Sequence, residues 1–273
     1  MDYKEIDGVR CYAPTLAVQN DDYPHEAFSI LYELEEDNFW FQSRNKIIKN
    51  ITKKYVKEED AKFLEIGCGT GFVLQNLNKK FPSFSFFGSE IHLEGIKFAK
   101  KRVPNATFIQ LDATEMPFEN EFDAIGAFDV LEHIDADTAV MKGIYKALKP
   151  DGHFIITVPQ HQFMWSINDD IAFHKRKYSR KEMLEKLKNE GFTIEYVSSF
   201  VFMLFPMMLL SRLTKANNKK KVTKEIIIQE IKNLKVNSMV NAIFIQLMKI
   251  DEMLIKKGIS LPFGGSLLVV AKK

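Results

Sequence analysis

Phe63-Leu64-Glu65-Ile66-Gly67-Cys68-Gly69-Thr70-Gly71-Phe72 is the stretch from which the rest of the chain can be read. An apolar run ends in an acid, a glycine-rich turn follows, and Val73, Leu74 and Leu77 begin a helical stripe. Strand, tight turn and helix in that order predict one βα unit of a layered α/β domain. Glycines let the backbone pass close under a ligand, and the helix N-terminus that follows favours negative charge.

Working outward, the β-rich runs Lys62–Ile66, Phe84–Ser89, Thr107–Leu111, Phe122–Phe128 and His153–Val158 alternate with amphipathic helical stretches. That alternation predicts a doubly wound α/β sheet covered on both faces. Ser179 with Glu182 reads as a capping box, Met183, Leu184 and Leu187 as its stripe, and Gly191 as its stop. Lys149-Pro150-Asp151-Gly152 reads as a turn. Phe192–Phe200 and Ser266–Ala271 are a sixth and a seventh strand, and the roughly 65 residues between them are too long for a plain loop. Asn241–Lys257 fills part of that gap with an amphipathic helix stopped by Gly258, and Pro24–Glu36 and Asn38–Tyr55 are helical candidates at the other end. The expected organisation is a helical lid over 1–58, an α/β core over 59–200, a helical insertion over 201–263 and a final core strand over 264–273.

Composition narrows the class. With 273 residues, 46% hydrophobic and 27% charged, the chain can bury a sizeable core and is neither wholly disordered nor polytopic in a membrane. Two cysteines, Cys11 and Cys68, are too few for a disulfide framework, and the start Met1-Asp2-Tyr3-Lys4-Glu5 is unlike a secretory signal, so a cytoplasmic protein is expected. The net charge of +2 hides an asymmetry, −5 over residues 1–60 against +9 over 201–273. Only 6 of the 38 cations are Arg and no zinc-finger or RNP-type pattern occurs, so nucleic acid is not the expected partner.

A dinucleotide reading of the glycine turn would require Gly or Ala at position 72 for close helix packing, and Phe72 stands there. The pattern E-x-G-x-G-x-G instead resembles the class I S-adenosylmethionine-dependent methyltransferases, over roughly 60–200 and the last strand. The resemblance implies a seven-stranded Rossmann-like sheet with its last strand antiparallel, and S-adenosyl-L-methionine as cofactor. It implies cofactor contacts from Glu65, Gly67, Gly69 and Gly71, from Glu90 with Ile91 at the ribose, and from Asp112 with Ala113 at the adenine edge. Phe128 at the end of the fourth strand and Arg44 from the lid join this set, with Phe41 and Arg44 at i, i+3 on the face that would close over the site. The rivals are a nicotinamide-dependent oxidoreductase, which Phe72 disfavours, and a cofactor-binding module without catalysis.

The reaction implied is direct methyl transfer, for which a base is needed mainly with a hydroxyl acceptor. His133, His161 and His174 are the candidates. Asp129, Glu132 and His133 have a spacing similar to the cation-binding acids and histidine of ubiquinone-biosynthesis O-methyltransferases, but Asp replaces the first Glu, and no metal is expected. The polar-aromatic segment 158–178, the Asn38-Phe39-Trp40-Phe41 lead and the Leu261–Ser266 ending resemble a bacterial subgroup linked with envelope and glycoconjugate pathways. Tyr196–Ser211 carries no charge, yet it is short for a span and contains Pro206. Arg212, Lys215, Lys219, Lys220, Lys221 and Lys224 follow it without an acid. Contact with the inner face of a membrane through 201–224, a lipid-linked or small-molecule acceptor, and a homodimer through the apolar insertion are the partner expectations.

Overall fold

The computed structural model describes residues 2–19, 24–214 and 223–273. Its strands are β1 (Lys4–Ile6), β2 (Val9–Cys11), β3 (Lys62–Ile66), β4 (Ser85–Glu90), β5 (Thr107–Gln110), β6 (Phe122–Phe128), β7 (Leu148–Pro159), β8 (Thr193–Phe200) and β9 (Ser266–Lys272). They form one sheet in the order β1-β2-β5-β4-β3-β6-β7-β9-β8. From β5 to β7 the strands are parallel, and β9 enters antiparallel between β7 and β8. The order reverses on either side of β3, and in such sheets ligands bind at the carboxyl ends beside that reversal.

The expected sheet is therefore present, with two strands more than the seven expected. The N-terminal segment is not purely helical: β1 and β2 form a hairpin, and β2 lies parallel against β5 through Arg10↔Ile109 and Cys11↔Gln110. The turn is Asp7-Gly8, both at positive φ, the backbone that a two-residue hairpin with the right-handed strand twist demands. The expected turn at Lys149–Gly152 is absorbed into β7, where Asp151 at φ +67 and a shift in the β6–β7 register leave an irregularity.

The helices are α1 (Pro14–Gln19), α2 (His25–Leu34), α3 (Phe39–Tyr55), α4 (Phe72–Lys80), α5 (Leu93–Arg102), α6 (Asp137–Ala147), α7 (Ile167–Ile171), α8 (Arg180–Asn189), α9 (Phe205–Thr214), α10 (Lys224–Asn233) and α11 (Ser238–Lys256). Successive residues of β3 point to opposite faces, so Phe63 enters one core layer and Leu64 the other. The first layer takes Ile47, Ile48 and Ile51 of α3, Leu74 and Leu77 of α4, Ile96 of α5 and Met248 and Ile255 of α11. The second takes Val140, Met141 and Ile144 of α6 with Met183 and Leu187 of α8. One face of α3 is thus core, although the helix lies in the segment expected as a lid.

A third, separate cluster joins three segments distant in sequence. Ala27 of α2, Ile171 of α7 and Ile227 and Ile231 of α10 pack together. The uncharged stretch expected at Tyr196–Ser211 divides into the end of β8 and most of α9, and of the basic run after it residues 215–222 lie outside the described residues. No helix among the described residues is long and apolar enough to cross a membrane.

Candidate functional site

Gly67, Gly69 and Gly71 all take positive φ, at +63°, +51° and +78°, a region that side chains with a Cβ rarely adopt. Packing adds a second demand at two of them. A Cβ on Gly67 would lie 2.6 Å from a Val130 methyl, and one on Gly71 2.9 Å from the Ala99 Cα of α5. A Cβ on Gly69 would meet nothing within 4 Å among the described residues beyond its two chain neighbours. Glu65, just before the turn, is buried with Oε2 unpartnered, and burial pushes its carboxyl well above the usual carboxylate range.

Glu90 ends β4 and organises the turn from the neighbouring strand. Its Oε2 accepts from the Gly69 N–H at 3.0 Å, and its Oε1 accepts from the N–H groups of Ile91 and His92 at 2.9 and 3.1 Å. Asp112 follows β5, and its Oδ1 accepts from the N–H and the hydroxyl of Thr114 at 2.8 and 2.7 Å, a local turn with Ala113 buried inside it. Phe128 is buried at the end of β6. The residues expected around the cofactor from β3, β4, β5 and β6 thus all stand at the carboxyl edge of the sheet, at adjacent strand ends.

Arg44 reaches the same edge from α3. Its guanidinium pairs with the Asp129 carboxylate, whose other oxygen accepts from the Thr157 hydroxyl at 3.2 Å. Asp129 sits at φ +59, a strained position that Asp tolerates better than most residues. Beyond it the one-turn helix Leu131–His133 presents Glu132 and His133. Glu132 is fully buried, both carboxylate oxygens are unpartnered, and burial followed by the Asp129 charge raises its pKa well above the ordinary range.

The His133 and His174 rings meet edge to face with centroids 4.8 Å apart. His133 is exposed as a residue, yet crowding around its ring desolvates it and His174 repels a second charge, which together lower its pKa to about 4. His174 Nδ1 lies 3.0 Å from Asp169 Oδ1, which also takes the Lys177 ammonium at 2.8 Å. Burial disfavours the Asp169 charge, but the His174 and Lys177 contacts outweigh it and hold its pKa down to about 2. His161, the third candidate base, packs instead against Phe163 and Phe205.

Several residues at this edge carry no local signal in the sequence. Glu35, at the C-terminal end of α2, accepts from Arg102 at the end of α5 and from the hydroxyl of Thr70 in the glycine turn. Arg102 also donates to the Tyr32 carbonyl and lies over the Tyr32 ring at 4.1 Å and the Phe72 ring at 5.0 Å. Glu35 stands in the acidic run Glu35-Glu36-Asp37 and Arg102 in the basic run Lys100-Lys101-Arg102, and nothing local separates the buried member from its solvated neighbours. Tyr178 is another: its hydroxyl donates to Asp137 at 2.7 Å and ties the segment after β7 to α6.

Residues 57–226 match the family described as "Methyltransferase domain", well over half of the chain. An uncharacterised protein of Methanocaldococcus jannaschii is 31% identical over 186 residues, covering 56% of this chain and 71% of that protein. A malonyl-[acyl-carrier protein] O-methyltransferase of Priestia megaterium is 30% identical over 115 residues, 41% of this chain, and the match spans only 42% of that enzyme's own length. Among solved structures, a phosphoethanolamine N-methyltransferase of Haemonchus contortus in complex with S-adenosyl-L-methionine superposes with a TM-score of 0.60 at 20% identity, covering 94% of this chain and 59% of that one. With the glycine turn, the strand order and the family match in agreement, the chain belongs to the methyltransferase-domain family and is an S-adenosylmethionine-dependent methyltransferase.

Proposed function

We propose that the enzyme methylates an oxygen or nitrogen of a small or amphiphilic acceptor, lipid-linked or sugar-containing, beside the Glu132–His133–His174 edge. The supporting observation is a group of exposed apolar side chains on the segments that follow β7 and β8. Phe163, Met207, Leu210 and Phe263 are 69%, 48%, 63% and 41% exposed, and the Phe263 ring packs against those of Phe202 and Phe205. Apolar surface gathered in this way marks a binding face more often than a solvated one. The malonyl-[acyl-carrier protein] relative is named as an O-methyltransferase, in keeping with an oxygen acceptor.

In this reading the cofactor lies across Gly67–Gly71, Glu90 and Asp112. The acceptor lone pair forms a bond to the methyl carbon as the carbon–sulfur bond breaks toward sulfur, leaving a neutral thioether. Holding the partners at near-attack distance supplies up to ~7–11 kcal/mol of such a reaction's acceleration. A hydroxyl acceptor must also lose its proton, and we place that loss at the Glu132–His133–His174 edge.

The glycine turn offers a local test of the cofactor placement. Gly71→Ala should destabilise the fold by at least about 1–2 kcal/mol, because left-handed backbone and an α5 clash coincide. Gly69→Ala should bear the backbone strain alone, yet weaken S-adenosylhomocysteine binding in calorimetry. Equal affinity in Gly69→Ala and the parent would move the cofactor elsewhere.

The acceptor class is tested by supplying radiolabelled S-adenosylmethionine to the enzyme in cell extract. Label in the organic phase supports an apolar acceptor, and label confined to the aqueous phase rejects it. Co-sedimentation with phosphatidylglycerol vesicles at low and high salt tests membrane contact through 201–224. Each cation near an anionic surface contributes about 1 kcal/mol and is screened by salt. A protein that stays in the supernatant at low salt is not a membrane-surface enzyme.

A further inference from the structure

Glu132 presents a physical problem that its protein neighbours leave unsolved. The side chain is fully buried, and neither carboxylate oxygen has a hydrogen-bond partner among the described residues. Buried carboxylates are normally paired, hydrogen-bonded or bound to a metal. The approach of His174 Nε2 to Glu132 Oε1, at 3.9 Å, is too long for a hydrogen bond and leaves the second oxygen without a partner.

The atoms around Glu132 have the character of a ligand set. One donor atom each from Glu132, His133 and His174 lies within 4.8 Å of the others. Two of the side chains come from the turn after β6 and the third from the segment after α7, so the fold and not sequence adjacency assembles them. His174 is oriented for the purpose, because Nδ1 faces the Asp169 carboxylate at 3.0 Å, which leaves Nε2 toward Glu132. A carboxylate behind the distal nitrogen is the usual outer-shell support of a metal-bound histidine. Asp129 is no fourth candidate, since its oxygens are engaged by Arg44 and Thr157.

We propose that Glu132, His133 and His174 bind one divalent transition-metal ion, with Asp169 positioning His174. Two imidazoles and a carboxylate suit zinc, manganese or iron(II) and leave coordination positions open. Ligands at ~2.0–2.2 Å from a common ion stand closer together than these atoms do, so metal uptake draws the three side chains inward by rotamer adjustment. When bound, such an ion supplies Lewis acidity toward an acceptor oxygen. That purpose rests on the methyl-transfer reading of this edge, while the ligand set itself does not.

The test uses the full chain stripped with a chelator and then titrated with MnCl2, followed by calorimetry and by the loss of the free Mn2+ resonance signal. One Mn2+ per chain is expected. Glu132→Gln, which is nearly isosteric, and His174→Ala should each weaken uptake more than tenfold, and Asp169→Asn by about tenfold. His153→Gln should leave uptake unchanged, because that ring pairs with Glu195 elsewhere. Absence of stoichiometric uptake, or equal uptake in Glu132→Gln with an unchanged melting temperature, overturns the site. S-adenosylhomocysteine binding is measured on the same samples. Its loss with Mn2+ uptake intact would count against the cofactor placement alone, and retained binding without uptake would count against the metal alone.

Discussion

Replacing Glu35 with alanine will lower stability by about 3–5 kcal/mol, the usual loss when one partner of a buried charge pair is removed. Burial outweighs the nearby cations and holds the Glu35 carboxyl above its ordinary pKa, so the pair itself is not the source of the effect. The loss comes from what remains: the Arg102 guanidinium, whose side chain is 1% exposed, would be stranded without its counter-ion. Thr70 would lose its acceptor at the same time, which loosens the glycine turn. For a chain of this size each kcal/mol is worth roughly 2–4 °C, so a melting temperature lowered by about 6–20 °C is expected in a thermal scan. Pairing Glu35→Leu with Arg102→Met should recover much of the loss, because neither charge is then buried alone. A Glu35→Ala protein melting within about 2 °C of the parent would show that solvent reaches Arg102 easily.

Glu90→Ala will weaken S-adenosylhomocysteine binding by about 1.5–3 kcal/mol, or roughly ten- to a hundredfold, as expected for losing hydrogen bonds to a charged acceptor. Its carboxylate already holds three backbone N–H groups at the mouth of the glycine turn, so the substitution removes both an acceptor for the ligand and the anchor of Gly69. Glu90→Gln separates the two effects. It keeps one side-chain oxygen but loses the charge, and an affinity between parent and Glu90→Ala is expected. Calorimetry giving equal dissociation constants for parent and Glu90→Ala would remove Glu90 from the cofactor site.

What could be read from the sequence follows the range of the forces involved. The βα unit at Phe63–Phe72 was legible because glycine conformation, strand alternation and helix start are local. The Ser179 cap of α8 was legible for the same reason. The Asp7-Gly8 hairpin also had a local signal, but three-residue strands are too short to show an alternation, and the region was read as helical. At the site, Glu90 and Asp112 could be placed because strand ends fix them. The Glu35–Arg102–Thr70 contacts and the Glu132–His174 approach depend on segments distant in sequence meeting across the fold, which no spacing along the chain encodes.

The position of β9 has a consequence for how the sheet is completed. Among the described residues strand β8 pairs only with β9, and residues 201–265 separate the two. At the usual elongation rates of about 5–20 residues per second, that interval lasts roughly 3–13 s. Throughout it, Thr193–Phe200 offers unmatched backbone groups to the ribosome exit, to chaperones and to other nascent chains. The fold thus leaves both strands that flank β9 waiting for it during synthesis, β8 beside the proposed acceptor face among them.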